Sequence, residues 1–126
     1  MSMFRVSIGV GNLNGGDLAP VQAVVDTGAA HSMLPESLMT QLRIEPRQRL
    51  GFILADGSRV KYGYGFARFS IGGSEAPCPV IFGPDDNYLL GASTLEAFNL
   101  LVDPAGEQLL PAEWLSLGWG GPLPSR

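Results

Sequence analysis

Short apolar runs separated by glycine and proline dominate the chain and predict many strands joined by tight turns. The chain of 126 residues contains 17 Gly and 10 Pro. Two short helices are expected: a proline-initiated one over 35–42, and one of about two turns opened by a capping box, Ser93 to Glu96. The predicted strands are 4–10, 21–25, 50–54 paired with 59–64, 65–71 paired with 79–82, 88–90, and 100–102 paired with 108–110. The pattern therefore predicts a mostly β fold.

Composition and charge restrict the class of protein. Residues 1–126 show no domain boundary and no repeat, so we expect a single domain. The net charge is −4 and no basic patch stands out along the sequence, which disfavours nucleic acid as a partner. No apolar run approaches the roughly 20 residues of a membrane helix, and no secretory signal is recognisable. Since Cys78 is alone, no internal disulfide is possible, and we expect a cytoplasmic protein.

The most informative stretch is the apolar run 21–25, which leads into Asp26-Thr27-Gly28. Such triplets also occur in ordinary turns and calcium loops, but here the following residues to Leu34 carry almost no charge. Two facing carboxylates share one proton and can activate a water held between them. Gly28 would allow a sharp turn and Thr27 could lock the loop. Because the triplet occurs once, the second carboxylate is expected from a second copy of the chain.

A second segment, Tyr88-Leu89-Leu90-Gly91, lies about 60 residues after Asp26 and precedes the predicted second helix. With Val80 to Pro84 before it and the hairpin 50–64, it makes the chain resemble the retroviral-type aspartic peptidases, the retropepsins, over about residues 4–110. The stretch 26–35 is most similar to small cellular and bacterial members. This resemblance implies a closed β-barrel, the single-domain half of the acid-protease fold, with the hairpin 50–64 as flap.

The resemblance also implies an activity and a set of site residues. It implies an endopeptidase that acts on peptides as a homodimer, with Asp26 as the catalytic acid and base and Thr27 and Gly28 shaping its loop. The residues expected to contact substrate are Ala29, Ala30, His31, Asp56, Gly57 and Pro84.

The chain departs from the viral members at several positions. Ala30 and Ala92 stand where many viral members carry an acid and an arginine, so both partners of that pair are absent and no buried charge is orphaned. The absence of this pair calls into question a dimer contact like that of the viral members, and it does not affect the catalytic chemistry. Asp56-Gly57 replaces a more glycine-rich, apolar flap tip. The tail 111–126, with two tryptophans, is interpreted as a dimer contact or as a packed or frayed end.

Several alternatives stay open. His31, the only histidine, is placed near a substrate subsite by the resemblance, although a structural histidine is the favoured interpretation. One histidine and one cysteine cannot form a zinc site, and no base is visible for Cys78, so we expect no metal, no cofactor and no cysteine peptidase. The rivals to an enzyme are a peptide-binding or dimerisation module with silent carboxylates, and a monomeric β-barrel that binds an apolar ligand.

Overall fold

A computed structural model describes residues 3–113 of the protein. These residues are mostly strand, with two helices of six residues each, α1 (Glu36–Gln41) and α2 (Ala92–Ala97). Neither helix is long and apolar enough to cross a membrane. The strands in chain order are β1 (Phe4–Asn12), β2 (Gly15–Val25), β3 (Ser32–Pro35), β4 (Gln48–Ile53), β5 (Arg59–Ile71), β6 (Ser74–Gly83), β7 (Leu89–Leu90), β8 (Leu100–Asp103) and β9 (Gln108–Pro111).

Seven of these strands form one sheet that closes on itself. The strand order is β1-β2-β7-β3-β6-β5-β4, and an additional antiparallel pairing of β1 with β5 joins Val10 to Phe69. Six strands thereby form a ring, from which β4 projects as the outer strand of a hairpin with β5. Strands β8 and β9 form a separate two-stranded sheet. The predicted mostly β, closed fold is confirmed.

Buried and partly exposed side chains alternate along the strands, and the buried ones fill the interior of the ring. In β5 the side chains of Ala67 and Phe69 are fully buried, while their neighbours at even positions are partly exposed. Successive residues of a strand point to opposite faces, so one face of β5 contributes to the core. The apolar residues buried in the core are Phe4, Ile8, Val10, Ala23, Val25, Leu34, Met39, Ile44, Ala67, Phe69, Cys78, Val80, Phe82, Leu90 and Leu95.

Several details differ from the sequence-based expectation. Strands β2 and β6 begin at Gly15 and Ser74, earlier than the predicted positions 21 and 79. The runs 59–64 and 65–71 form one continuous strand, β5, which serves both predicted hairpins. Strand β3 was not predicted. The prediction of a capping box at Ser93 to Glu96 was wrong. Helix α2 begins at Ala92 with Gly91 as its N-cap residue, and no side chain caps it. The amide donors of its first turn bond to carbonyls of another loop, as described below, so the helix needs no serine cap. Trp114 and Trp119 lie outside the described residues.

Candidate active site

Asp26 lies where β2 ends, beside the short strand β7. Val24 N–H donates to the Tyr88 carbonyl at 2.9 Å, and Asp26 N–H donates to the Leu90 carbonyl at 3.0 Å. Val25, directly before Asp26, is buried in the core. The backbone that carries Asp26 is therefore held by strand hydrogen bonds up to the residue itself, and the half-buried Asp26 projects from a fixed base.

The loop after Asp26 turns back on the carboxylate. Gly28 N–H donates to Asp26 Oδ1 at 2.9 Å, and Ala29 N–H donates to the Asp26 carbonyl at 3.2 Å. A Cβ at Gly28 would lie 3.2 Å from Asp26 Oδ1, which is tighter than ordinary contact. The structure therefore explains the small residue at position 28, since the peptide must approach the carboxylate closely to orient it.

The N-terminus of α2 packs directly against this loop. Ala92 N–H donates to the Ala29 carbonyl at 2.8 Å, and Ser93 N–H donates to the Ala30 carbonyl at 3.0 Å. Directly before these residues, a Cβ on Gly91 would lie 2.5 Å from the backbone C and O of His31. Gly91 has φ −97° and ψ 179°, a conformation open to any residue, so its requirement for glycine is purely steric.

Two buried hydroxyl groups support the same junction. Ser32 and Thr94 are both fully buried, and their hydroxyl oxygens are hydrogen-bonded to each other. Ser32 Oγ also accepts a hydrogen bond from Gly91 N–H at 3.0 Å. Buried polar groups are costly unless paired, so this pair fixes β3 and α2 in one arrangement behind the Asp26 loop. Sequence reasoning missed both residues, because nothing in their spacing marks them as partners.

His31 contacts the flap strand β5 through its ring. Its ring meets that of Tyr64 in an edge-to-face contact, with centroids 5.6 Å apart and planes at 77°. Its Nδ1 atom is buried and has no hydrogen-bond partner among residues 3–113. His31 thus links the loop of Asp26 to strand β5, and its role in substrate binding stays a prediction.

The predicted flap tip forms as an exposed turn between β4 and β5. Gly57 adopts φ +87°, which favours glycine, and its N–H donates to the Leu54 carbonyl at 2.8 Å. Asp56 Oδ1 accepts hydrogen bonds from the Ser58 hydroxyl at 2.6 Å and from Ser58 N–H at 2.9 Å. Both hydrogen bonds lower the pKa of Asp56, and the one from the Ser58 hydroxyl has the larger effect. The described hydrogen bonds of Asp56 therefore stay within the flap and do not reach the Asp26 loop.

Pro84 begins the exposed connection from β6 to β7. The connection is braced by Asp85, whose Oδ1 accepts a hydrogen bond from the Ser37 hydroxyl at 2.8 Å. Asn87 Nδ2 donates to the Pro84 and Asp85 carbonyls at 3.3 and 3.1 Å. This connection leads into Tyr88, which bonds to β2 just before Asp26. Whether Pro84 contacts substrate stays a prediction.

The chemistry available within one chain is incomplete for an acid–base pair. The Asp26 loop presents one oriented carboxylate, and residues 3–113 contain no cluster of three or more His, Cys, Asp or Glu side chains that could hold a metal. A cleft of about 1020 Å³ lies between the β1–β2 turn, α1 and the root of the flap, and includes no residue of the Asp26 loop.

Comparisons with known proteins agree with the fold and identify the family. The solved structures that match the fold include the solution structure of simian foamy virus (mac) protease, at 20% identity and a TM-score of 0.55, and EIAV protease complexed with the inhibitor HBY-793, at 18% identity and a TM-score of 0.59. The first alignment covers 73% of this chain and 91% of the viral one, and the second covers 75% and 86%. A search of curated proteins found no match. The sequence profile described as "gag-polyprotein putative aspartyl protease" matches residues 11–97. The chain therefore belongs to the retropepsin-like family of gag-polyprotein aspartyl proteases.

Proposed function

We propose that the protein is an aspartic endopeptidase whose active form is a homodimer with one Asp26 from each subunit. The family and the fold support aspartic protease activity in general. The observation that carries the proposal is the junction of the Asp26 loop with Gly91 and α2. Backbone hydrogen bonds of 2.8–3.0 Å, made by residues before and after Gly91, hold the loop that carries the carboxylate, and no side chain fits at Gly91 itself.

The proposed reaction needs two carboxylates in different protonation states. Two acids at close range cannot both ionise readily, so the pair shares one proton. The ionised Asp26 takes a proton from a water molecule, which attacks the peptide carbonyl, and the protonated Asp26 of the second subunit donates to the substrate. The hydrogen bond from Gly28 N–H to Asp26 Oδ1 keeps the carboxylate in one orientation. No covalent intermediate is required.

The two-stranded sheet of β8 and β9 exposes an apolar surface where a second copy of the chain would bind. Leu101 and Leu110 are directly paired across β8 and β9 and are 58% and 41% exposed. The opposite face of the hairpin, with Val102 and Leu109, packs against the core. A two-fold axis near this hairpin would pair identical apolar surfaces, as homodimers commonly do. We propose this leucine pair as part of the dimer contact.

Substrate is proposed to bind as an extended peptide between the Asp26 loop and the flap. Backbone hydrogen bonds supply affinity in such complexes, and alternating side chains supply selectivity. Ala29, Ala30 and His31 would form the floor, Asp56 and Gly57 the cover, and Pro84 a side wall. The carbonyls of Ala29 and Ala30 accept hydrogen bonds from amides of α2, and Ala29 N–H donates to the Asp26 carbonyl. The Ala30 N–H and the two small side chains are therefore what this stretch would offer a substrate. The cytoplasmic location also stays a proposal, consistent with the single buried thiol of Cys78.

Substitution of Asp26 by asparagine tests the activity. The amide has nearly the same shape but cannot act as a base, so we expect cleavage of a peptide library to fall by several orders of magnitude. Fold and dimer should persist, and stability should not fall, because close carboxylates repel each other. Cleavage by Asp26→Asn at the wild-type rate would contradict the assignment. If the wild type bound pepstatin and peptides but cleaved nothing, the silent peptide-binding module would be favoured instead.

A further inference from the structure

Basic residues are concentrated in the flap hairpin and in the segment just before it, although the protein as a whole is acidic. Five of the eight Lys and Arg residues lie between positions 43 and 61, together with two of the twelve Asp and Glu residues. This segment therefore carries a net charge of +3, whereas the rest of a chain of net charge −4 carries −7. Arg49 lies ten and twelve positions before Arg59 and Lys61 in the sequence, and only the pairing of β4 with β5 brings these three together.

The pairing of β4 with β5 places three of these cations on one face. Arg59 pairs with Ile53, and Lys61 pairs with Gly51, two residues along from Arg49 on the same face. All three cationic residues are exposed, and none forms a salt bridge among the described residues. Arg49 Nη2 donates to the Lys61 carbonyl at 3.0 Å, which holds its guanidinium beside Lys61. We call Arg49, Gly51, Ile53, Arg59 and Lys61 the basic face of the flap.

The opposite face of the same hairpin is aromatic and turns toward the active-site loop. Phe52 and Tyr62 have ring centroids 5.9 Å apart, and Tyr64 contacts His31. Since alternate residues of a strand point to opposite sides, the basic face points away from that loop. A peptide in the cleft would meet the aromatic face, so the cations are placed to contact a segment outside the cleft.

A shallow groove accompanies the basic face and combines charge with apolar surface. Its volume is about 540 Å³. Its lining comprises Gly51, Ile53, Arg59 and Lys61 of the basic face, together with Phe52 and Val60 of the opposite face. Ile53 is 72% exposed, and a Cβ at Gly51 would have no atom within 4 Å, so the groove is open at that point. Cations beside an exposed apolar side chain suit a ligand with carboxylates and an apolar residue.

We propose that the basic face of the flap is a docking site for an acidic segment of protein substrates that also carries apolar side chains. The identification of the ligand as a substrate segment rests on the proposed peptidase function. Charge complementarity favours a carboxylate-rich peptide over nucleic acid, because the remaining surface, of net charge −7, repels a long polyanion. A short acidic segment contacts only the flap and escapes most of that repulsion.

The proposal is tested by binding to the Asp26→Asn protein, which needs no turnover. The probe is a short fluorescein-labelled peptide of glutamates and leucines, and the reference is the same peptide with glutamine for each glutamate. Fluorescence anisotropy should show tighter binding of the glutamate peptide by roughly five- to tenfold, because exposed charge pairs are individually weak. The preference should disappear at high salt, where screening shortens the range of the charges.

Two substitutions with a matched control locate the site. Arg59→Gln should weaken binding of the glutamate peptide by roughly threefold, whereas Arg5→Gln, the same change at an exposed position on β1, should leave it unchanged. Gly51→Val has space for its side chain and should fold normally, yet it fills the groove and should weaken binding of the glutamate peptide without altering the charge.

Three results would overturn the docking site: equal affinity for both peptides, equal effects of Arg59→Gln and Arg5→Gln, or tighter binding of a single-stranded oligonucleotide than of the glutamate peptide. Glutamate-peptide binding by Asp26→Asn together with no cleavage by the wild type would contradict the proposed peptidase and leave the acidic docking site standing. Cleavage by the wild type without any preference of Asp26→Asn for the glutamate peptide would support the proposed peptidase and contradict the acidic docking site.

Discussion

Replacement of Gly91 by alanine should damage both stability and catalysis, although the position lies outside the Asp-Thr-Gly triplet. The new Cβ would lie 2.5 Å from the C and O atoms of His31 and 2.9 Å from the Ala29 carbonyl oxygen. Ordinary contact between such atoms needs about 3.5 Å. The loop of Asp26 and the start of α2 must therefore separate by roughly 1 Å, and none of the three clashing atoms is a flexible side-chain end.

The magnitude follows from the contacts that would be strained. Overpacking a close contact costs about 1–3 kcal/mol. The bonds from Ala92 N–H and Ser93 N–H to the loop contribute about 1 kcal/mol each. Their loss would bring the destabilisation to about 3–5 kcal/mol, which lowers the Tm of a domain of this size by roughly 10–20 °C. A displacement of about 1 Å at a catalytic group can reduce the rate by about a hundredfold.

The assay combines thermal unfolding with kcat/KM on one peptide, measured well below the Tm of the variant. Gly51→Ala is the matched control, since its Cβ would meet nothing within 4 Å and its stability should be unchanged or slightly raised. If Gly91→Ala kept its Tm within about 2 °C of wild type and cleaved at the wild-type rate, the steric account of the junction would be refuted.

Three further outcomes are expected. The activity should have a bell-shaped pH dependence with an optimum on the acidic side of neutral, because its two apparent pKa values belong to the shared-proton pair; activity that keeps rising above about pH 9 would point to another mechanism. His31→Gln should reduce a preference for acidic substrate side chains at low pH, since imidazoles ordinarily titrate near neutral pH; identical cleavage-site profiles of variant and wild type at acidic and mildly alkaline pH would leave His31 a structural contact of Tyr64. Burial raises the pKa of the Cys78 thiol to about 11, so iodoacetamide should not label the native protein near neutral pH. Stability should also fall as the pH rises from the ordinary thiol pKa toward 11, because the unfolded thiol releases its proton first, and rapid native labelling would contradict the burial.

The sequence predicted those parts of the site that depend on residues adjacent in the chain. Asp26-Thr27-Gly28 after an apolar strand, and Leu89-Leu90 before Gly91, are short patterns whose residues act through their immediate neighbours, and the structure brings both patterns together. The hairpin signal of Asp56-Gly57 was equally local, since the turn needs a positive φ at glycine.

What the sequence did not reveal depends on contacts between distant segments. Strand β3 has only four residues and is stabilised by parallel pairing with β6, about 48 positions away. The cap of α2 was misassigned because its first amides bond to the Ala29 and Ala30 carbonyls, some 60 positions earlier. The buried pair of Ser32 and Thr94 and the basic face of the flap likewise exist only once strands are aligned. Such long-range pairings leave no periodic trace in a single sequence.

The central claim is that two Asp26 side chains from two subunits make one active site, and subunit mixing tests it most directly. Wild type and Asp26→Asn would be mixed in varying proportions at constant total concentration, allowed to exchange subunits, and assayed for peptide cleavage. If each site needs two Asp26 residues, activity should follow the square of the wild-type fraction and reach about one quarter in an equal mixture. Activity that falls in direct proportion to the wild-type fraction, reaching about one half, would show that a single chain suffices and would contradict the account.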